Sequence, residues 1–148
     1  MVDVGAKSVT ARRAIVRGSI RISVDLAKKL AQGENEKGDA FTVAKTAGIL
    51  AAKQTGLLIP MCHPLGLDHL GIELELDQAN GKVWLEAVAS TTAKTGVEME
   101  AMMAATIAAL TFYDMVKAMD KAVVIEKIGL YKKEGGKSGL YINSEFER

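Results

Sequence analysis

The sequence predicts an α+β fold of the ferredoxin-like type, a split βαβ pattern with one antiparallel sheet and helices packed on one face. Apolar residues alternate with a period of two in four segments and recur every three to four positions between them. The resulting order is strand, helices, strand, strand, helix, strand. We expect four strands, an extra helix in the first crossover, and a single domain over residues 1–148.

The first half of the chain predicts one strand followed by two helices. Residues 13–22 alternate between apolar and polar side chains, as a strand does. Ser23 is a suitable N-cap for a short helix that Gly33 ends. Asp39 is a suitable N-cap for a second helix over residues 40–55. These elements form the first crossover of the predicted fold.

The second half predicts a hairpin, a long helix and a last strand. Residues 70–76 and 83–89 alternate on either side of a turn at 78–81, which indicates a hairpin. Residues 95–117 form a long Ala- and Met-rich helix, and an apolar strand follows over about 123–131. We expect a glycine-rich segment and a short polar tail after that strand.

The long helix carries ionisable residues at both ends of one stripe. Glu100, Asp114 and Lys117 lie at steps of three and four residues, with apolar side chains between them. A rise of about 1.5 Å per residue separates Glu100 from Asp114 by roughly 21 Å. These groups therefore do not serve one small pocket in one chain. Two antiparallel copies of the helix about a twofold axis would bring the ends together, which predicts a site shared between subunits.

Composition excludes several classes of partner. The net charge of +1 is too small to attract nucleic acid over the whole surface. With only three Phe, three Tyr and one Trp, the chain also has few aromatic rings on which bases could stack. No apolar run approaches the ~20 residues that cross a bilayer, and no secretory signal is visible. The single cysteine, Cys62, excludes an intrachain disulfide. We expect a cytoplasmic protein without nucleic-acid or membrane partners.

Two loops carry candidate binding residues. In residues 36–39, a glycine beside Lys37 would let a ligand approach the start of a helix, where anions are favoured; an ordinary capped helix start is the alternative. In residues 59–65, two prolines stiffen the backbone around His63, which could bind phosphate or move protons, or could be structural.

A third loop, residues 135–139, reads GGKSG but lacks the earlier glycine of a Walker motif, since position 131 is Tyr. It either closes over an anion or connects a flexible tail. Two histidines and one thiol are a poor metal set, and the adjacent Cys62 and His63 would point apart. We therefore expect acid/base and phosphate chemistry without a metal or redox cofactor.

Several sequence blocks follow one another in a fixed order along essentially the whole chain. They are residues 1–4 with Lys7, Thr10 and Arg12, KGD at 37–39, residues 47–49 with 51–53, residues 58–65 with CHP, KTGVEMEA at 94–101, residues 109–118, and GGKSG at 135–139. At these blocks the chain closely resembles the cyclic pyranopterin monophosphate synthases of molybdenum cofactor biosynthesis, the MoaC family. This resemblance implies the same ferredoxin-like fold.

The resemblance also implies an activity and an assembly. It implies a lyase that converts the 3′,8-cyclised dihydro-GTP made by a partner radical SAM enzyme into cyclic pyranopterin monophosphate, with release of pyrophosphate. Members are typically homohexamers built as trimers of dimers, with the site at a dimer interface. The alternatives are a noncatalytic nucleotide-binding module that kept the anion pocket and a structural oligomer with incidental charges.

Residue roles carried over by motif divide into three sets. Asp114 and Lys117 would be the acid/base pair, and Lys37 a third catalytic or substrate-orienting group. The phosphate-binding set would be Arg12, His63, Lys133 and Lys137. The substrate-lining set would be Met61, Cys62, His63, Met99 and Glu100, with Glu98 in support.

Overall fold

The structure, a computed structural model, describes residues 1–147. Its strands are β1 (Thr10–Arg21), β2 (His69–Asp77), β3 (Lys82–Ala93), β4 (Val124–Glu134) and β5 (Tyr141–Ile142). Its helices are α1 (Val24–Ala31), α2 (Ala40–Ala52), α3 (Thr55–Leu58) and α4 (Glu98–Val116), and a 3₁₀ turn covers Ser144–Phe146.

The strand order confirms the ferredoxin-like fold. The sheet runs β2-β3-β1-β4-β5, and every neighbouring pair is antiparallel. Helices α1 to α3 connect β1 to β2, and α4 connects β3 to β4. The structure adds β5 to the four predicted strands, because two residues are too few to show a periodic pattern.

The predicted caps begin the first two helices. The Ser23 side chain accepts a hydrogen bond from the N–H of Leu26, and the Asp39 side chain accepts from the N–H groups that open α2. Helix α2 ends at Ala52, three residues before the predicted end. The buried hydroxyl of Thr55 donates to the Ala52 carbonyl at 2.9 Å, and Thr55 begins the separate helix α3.

Small side chains let α4 approach both α2 and the sheet. Five alanines of α4 are completely buried, and Phe112 closes the core near its end. These alanines are Ala101, Ala104, Ala105, Ala108 and Ala109. Opposite them on α2, Gly48 leaves room for the Ala104 carbonyl. Close helix packing therefore depends on residues without bulk at this crossing.

The apolar character of α4 has a consequence for membrane assignment. With 19 residues, it is long and apolar enough to cross a membrane by length and composition, although the sequence analysis expected no such run. Half of its apolar window is buried inside the fold. Packing in the core therefore explains its composition.

Replacing Gly48 with alanine is expected to destabilise the protein. A Cβ at this position would lie 2.6 Å from the Ala104 carbonyl oxygen and 2.5 Å from Ile72 Cδ1. Overpacking costs about 1–3 kcal/mol, against a helix-propensity gain of about 1 kcal/mol. We expect a lower urea midpoint for Gly48→Ala and little change for the control Gly66→Ala, where a Cβ meets nothing within 4 Å. A midpoint equal to the wild type would contradict the close packing.

Candidate active site

Three charged side chains form a cluster at the C-terminal end of α4, which we call the lysine-aspartate cluster: Lys37, Asp114 and Lys117. Lys117 Nζ lies 2.6 Å from Asp114 Oδ1, and Lys37 Nζ lies 3.1 Å from Asp114 Oδ2. Lys37 Nζ also donates to the Asp114 backbone carbonyl at 2.8 Å. The cluster therefore presents two ammonium groups on either side of one carboxylate, all of them about half exposed.

In the lysine-aspartate cluster, Asp114 and Lys117 each stabilise the ionised form of the other. Hydrogen bonds from Lys117 and then Lys37 lower the pKa of Asp114 below its usual value of 3.8. The hydrogen bond to Asp114 raises the pKa of Lys117 above 10.5. Asp114 and Lys117 are therefore both ionised at neutral pH, so the cluster offers a carboxylate beside an ammonium group that can bind an anion.

Two different elements build this cluster. Asp114 and Lys117 share one helical face because they lie three residues apart at the end of α4. Lys37 comes from the turn between α1 and α2, where Gly38 has φ +91° and Asp39 caps α2. Helical spacing indicates the first two residues. For Lys37, the loop sequence indicated only a possible anion-binding position, and the family resemblance supplied the catalytic role.

A cavity of about 320 Å³ lies at the opposite end of α4. Its walls come from the loop before β2, from the start of α4 and from the N-terminal segment. The lining includes all six substrate-lining residues that the sequence analysis named: Met61, Cys62, His63, Glu98, Met99 and Glu100. Lys7, Val2 and Val4 also line it.

Burial raises the pKa of two groups in this cavity. Glu100 is only 3% exposed, and burial raises the pKa of its carboxyl group, with Glu98 adding repulsion. Burial, followed by the nearby Glu100, raises the pKa of the Cys62 thiol above 9.0. Cys62 is therefore protonated at neutral pH and poorly suited to act as a nucleophile.

The raised pKa of the Glu100 carboxyl group should make the stability of the fold depend on pH. Because its folded pKa lies above the unfolded value of 4.5, stability falls as pH rises from 4.5 through the folded pKa. Glu100→Gln removes this cost. At pH values above the folded pKa of Glu100, we expect the variant to have a higher Tm than the wild type. Below pH 4.5 the two Tm values should be equal. The exposed control Glu145→Gln should follow the wild-type Tm at every pH; a Glu100→Gln difference that is independent of pH would contradict the assignment.

A second cavity, of about 680 Å³, adjoins the first and is suited to anions. It is lined by Lys7, Ser8, Thr10, Arg12, Gly136, Lys137 and Ser138. Arg12 points to the helix side of the sheet because it pairs with Thr91, a buried position of β3. Among residues 1–147, the buried Arg12 Nε and Thr10 Oγ1 have no hydrogen-bond partner. An oxyanion in this cavity could accept from both groups.

The glycine-rich loop at 135–139 folds over Arg12. Gly136 has φ +74°, a conformation that strains any side chain, and a Cβ there would displace the Arg12 guanidinium. Lys133 Nζ lies 3.2 Å from Ser138 Oγ and 3.5 Å from Glu98 Oε1. Lys133 therefore lies between the two cavities and links the loop to the start of α4.

The structure brings the predicted residues together in two places. The lysine-aspartate cluster lies at the C-terminal end of α4, and all the other predicted residues lie at or near the N-terminal end. Asp114 follows Glu100 by fourteen helical steps, which is roughly 21 Å along the axis. One chain therefore carries two separate groups of predicted site residues, which we call half-sites, too far apart to line one small pocket.

Sequence reasoning gave no role to Lys7, which lines both cavities. It matched a family block, but its loop has no periodicity or motif that would assign it a function. In residues 1–147, no group of three or more His, Cys, Asp or Glu side chains is arranged to hold a metal ion.

Comparison with known proteins identifies the family. The family model described as the MoaC family matches residues 1–136. A relative from Roseiflexus sp. (strain RS-1) is 49% identical over 97% of this chain and 90% of its own length. A relative from Thermoanaerobacter pseudethanolicus is 50% identical over 95% of this chain and 89% of its own length. Both relatives are named cyclic pyranopterin monophosphate synthase. The chain therefore belongs to the MoaC family.

Proposed function

We propose that the chain converts (8S)-3′,8-cyclo-7,8-dihydroguanosine 5′-triphosphate into cyclic pyranopterin monophosphate and releases pyrophosphate. This lyase reaction is an early step of molybdenum cofactor biosynthesis. The observation that carries the proposal is the match of relatives of that name over more than nine-tenths of the chain. The charges and cavities at the two ends of α4 support it, because they supply what the reaction needs.

The reaction needs cations where phosphate charge develops and proton transfers where rings open and close. Arg12, Lys133 and Lys137 lie in or beside the second cavity and would bind the triphosphate and the departing pyrophosphate. His63 and its neighbours in the first cavity would hold the guanine-derived ring and an adjacent phosphate. Asp114 would accept and return a proton, with Lys117 and Lys37 as its charged partners.

We further propose that each complete site forms between two subunits of a homohexamer built as a trimer of dimers. The separation of the half-sites along α4 supports this arrangement, since neither half alone contains both phosphate ligands and the acid/base pair. Exposed apolar side chains at the helical surface also support it. They include Leu50, Leu57, Leu58, Met99 and Leu110, of which Leu57 is 85% exposed.

The setting of the reaction follows from its substrate. We propose that a radical SAM GTP cyclase supplies the cyclised nucleotide. We also propose that the single-domain protein works in the cytoplasm, with neither nucleic acid nor a membrane as a partner. The net charge of +1 supports the absence of nonspecific nucleic-acid binding.

The direct test is turnover of the cyclised nucleotide, generated from GTP by the radical SAM enzyme and then isolated. We expect stoichiometric release of pyrophosphate and cyclic pyranopterin monophosphate. Binding without release would indicate a noncatalytic nucleotide-binding module instead. Neither binding nor release would indicate a structural oligomer.

Arg12 provides a test of the phosphate-binding cavity. Arg12→Lys keeps a positive charge but loses the guanidinium fork, so we expect KM to rise about tenfold with a smaller change in kcat. The matched control is Arg13→Lys on the next residue, which points to the other side of the sheet and pairs with Glu134 at 3.6 Å. Steady-state pyrophosphate release measures both variants. Equal KM values for the two variants would contradict the assignment.

A further inference from the structure

The turn that carries Lys37 is tied to α4 by a second side chain, Asn35. Asn35 Oδ1 accepts a hydrogen bond from the Lys37 N–H at 3.1 Å, and its backbone carbonyl accepts from the Gly38 N–H at 2.9 Å. Asn35 Nδ2 donates to the Met115 carbonyl at 3.4 Å. One amide side chain therefore closes the turn and attaches it to the helix beside Asp114.

The turn supplies hydrogen-bond donors to the free carbonyl groups at the C-terminal end of α4. The last four carbonyls of a helix have no partner within it. Two of the four accept from the backbone that follows α4. The Asp114 carbonyl accepts from Lys37 Nζ, and the Met115 carbonyl accepts from Asn35 Nδ2. The turn and the helix end are therefore joined by two neighbouring hydrogen bonds.

Lys37 Nζ bonds Asp114 directly, but the backbone that carries Lys37 lies in an exposed turn that Asn35 attaches to α4. Gly33 and Gly38 flank the turn with φ of +76° and +91°, and the backbone between them is largely exposed. The Lys37 side chain is 42% exposed, and a free lysine side chain has many rotamers. A tether at Asn35 restricts the position of the Lys37 backbone and thereby of its Nζ.

We infer that Asn35 is a positioning residue that holds Lys37 against Asp114 by attaching the turn to the Met115 carbonyl. This inference rests on the role given to Lys37 under the proposed function. Asn35 acts through Lys37, so its loss should reduce catalysis only while Lys37 is present. A purely structural asparagine would instead lower stability in every background.

Two substitutions separate the hydrogen bond from Asn35 to the Met115 carbonyl from the hydrogen bond that closes the turn. Asn35→Ser retains an oxygen that can accept from the Lys37 N–H but is too short to reach Met115, whereas Asn35→Ala loses both contacts. We expect both variants to lose about tenfold in kcat with KM within about twofold of the wild type, since small misplacements of a catalytic group are costly. Asn143→Ala is the matched control, because Asn143 Oδ1 accepts from the Glu145 N–H at the same 3.1 Å in the C-terminal segment.

The decisive measurement does not depend on activity. Trace acetylation with acetic anhydride, followed by peptide mass spectrometry, gives a rate for each lysine. We expect Lys37 to react at least about threefold faster in Asn35→Ser, because the hydrogen bonds to Asp114 no longer protect its amine. The internal control is Lys45, which is similarly exposed and pairs with Glu73 at 2.6 Å. An unchanged Lys37 rate would overturn the inference.

A double-mutant cycle distinguishes this inference from the proposed function. If Asn35 acts through Lys37, Asn35→Ser should cause no further loss of turnover in a Lys37→Ala background. Full turnover in Lys37→Ala alone would remove the role of Lys37 and the inference with it. A large loss in Lys37→Ala, together with wild-type acetylation and turnover in Asn35→Ser, would remove the inference alone.

Discussion

Asp114→Asn is expected to lose about 10³-fold in kcat, the range over which a positioned acid or base accelerates proton transfer. The amide retains the size of the carboxylate, but it accepts no proton at neutral pH and removes the negative charge between Lys37 and Lys117. Because the pKa of Asp114 is lowered below 3.8, its carboxylate should not produce an acidic limb in the wild-type kcat/KM profile above that pH. Single-turnover pyrophosphate release measures the loss.

Asp25→Asn provides a matched control for this substitution. Asp25 is also on a helix, is exposed, and pairs with Lys29 at 3.0 Å, so the same chemical change is made to an ion pair outside both half-sites. We expect its kcat to equal that of the wild type. If Asp114→Asn retained a third or more of the wild-type kcat, Asp114 would not be the catalytic acid/base.

Mixed oligomers should recover activity that neither parent has. Asp114→Asn damages the half-site at the C-terminal end of α4, and Glu100→Ala, which removes the carboxyl group, damages the half-site at its N-terminal end. In a mixed dimer, one of the two shared sites receives both intact halves and the other receives both damaged halves. With equal coexpression and random pairing, we expect about a quarter of wild-type turnover, starting from two nearly inactive proteins.

The control pairs two defects in the same half-site. Mixing Asp114→Asn chains with Lys37→Ala chains leaves every shared site with one damaged half, so no recovery is expected. Two affinity tags and native mass spectrometry would verify that mixed oligomers formed. Verified mixed oligomers without recovery in the first pairing would show that each site is built within one chain.

Local pattern was sufficient for much of the fold. Periodicity and helix-end signals, each spanning only a few residues, predicted the caps at Ser23 and Asp39, the hairpin around 78–81 and the long helix. The same local spacing placed Asp114 and Lys117 on one face. These predictions succeeded because the relevant hydrogen bonds and contacts connect near neighbours in sequence.

By itself, the sequence determined the order of elements, the family and the separation of Glu100 from Asp114. Only the tertiary structure decided that Lys37 meets Asp114 from 77 residues away, that loop 135–139 folds over Arg12, and that α2 ends early where α3 begins. The physical reason is that periodicity reports which face of an element is apolar. Which distant elements share that face depends on how the whole core closes.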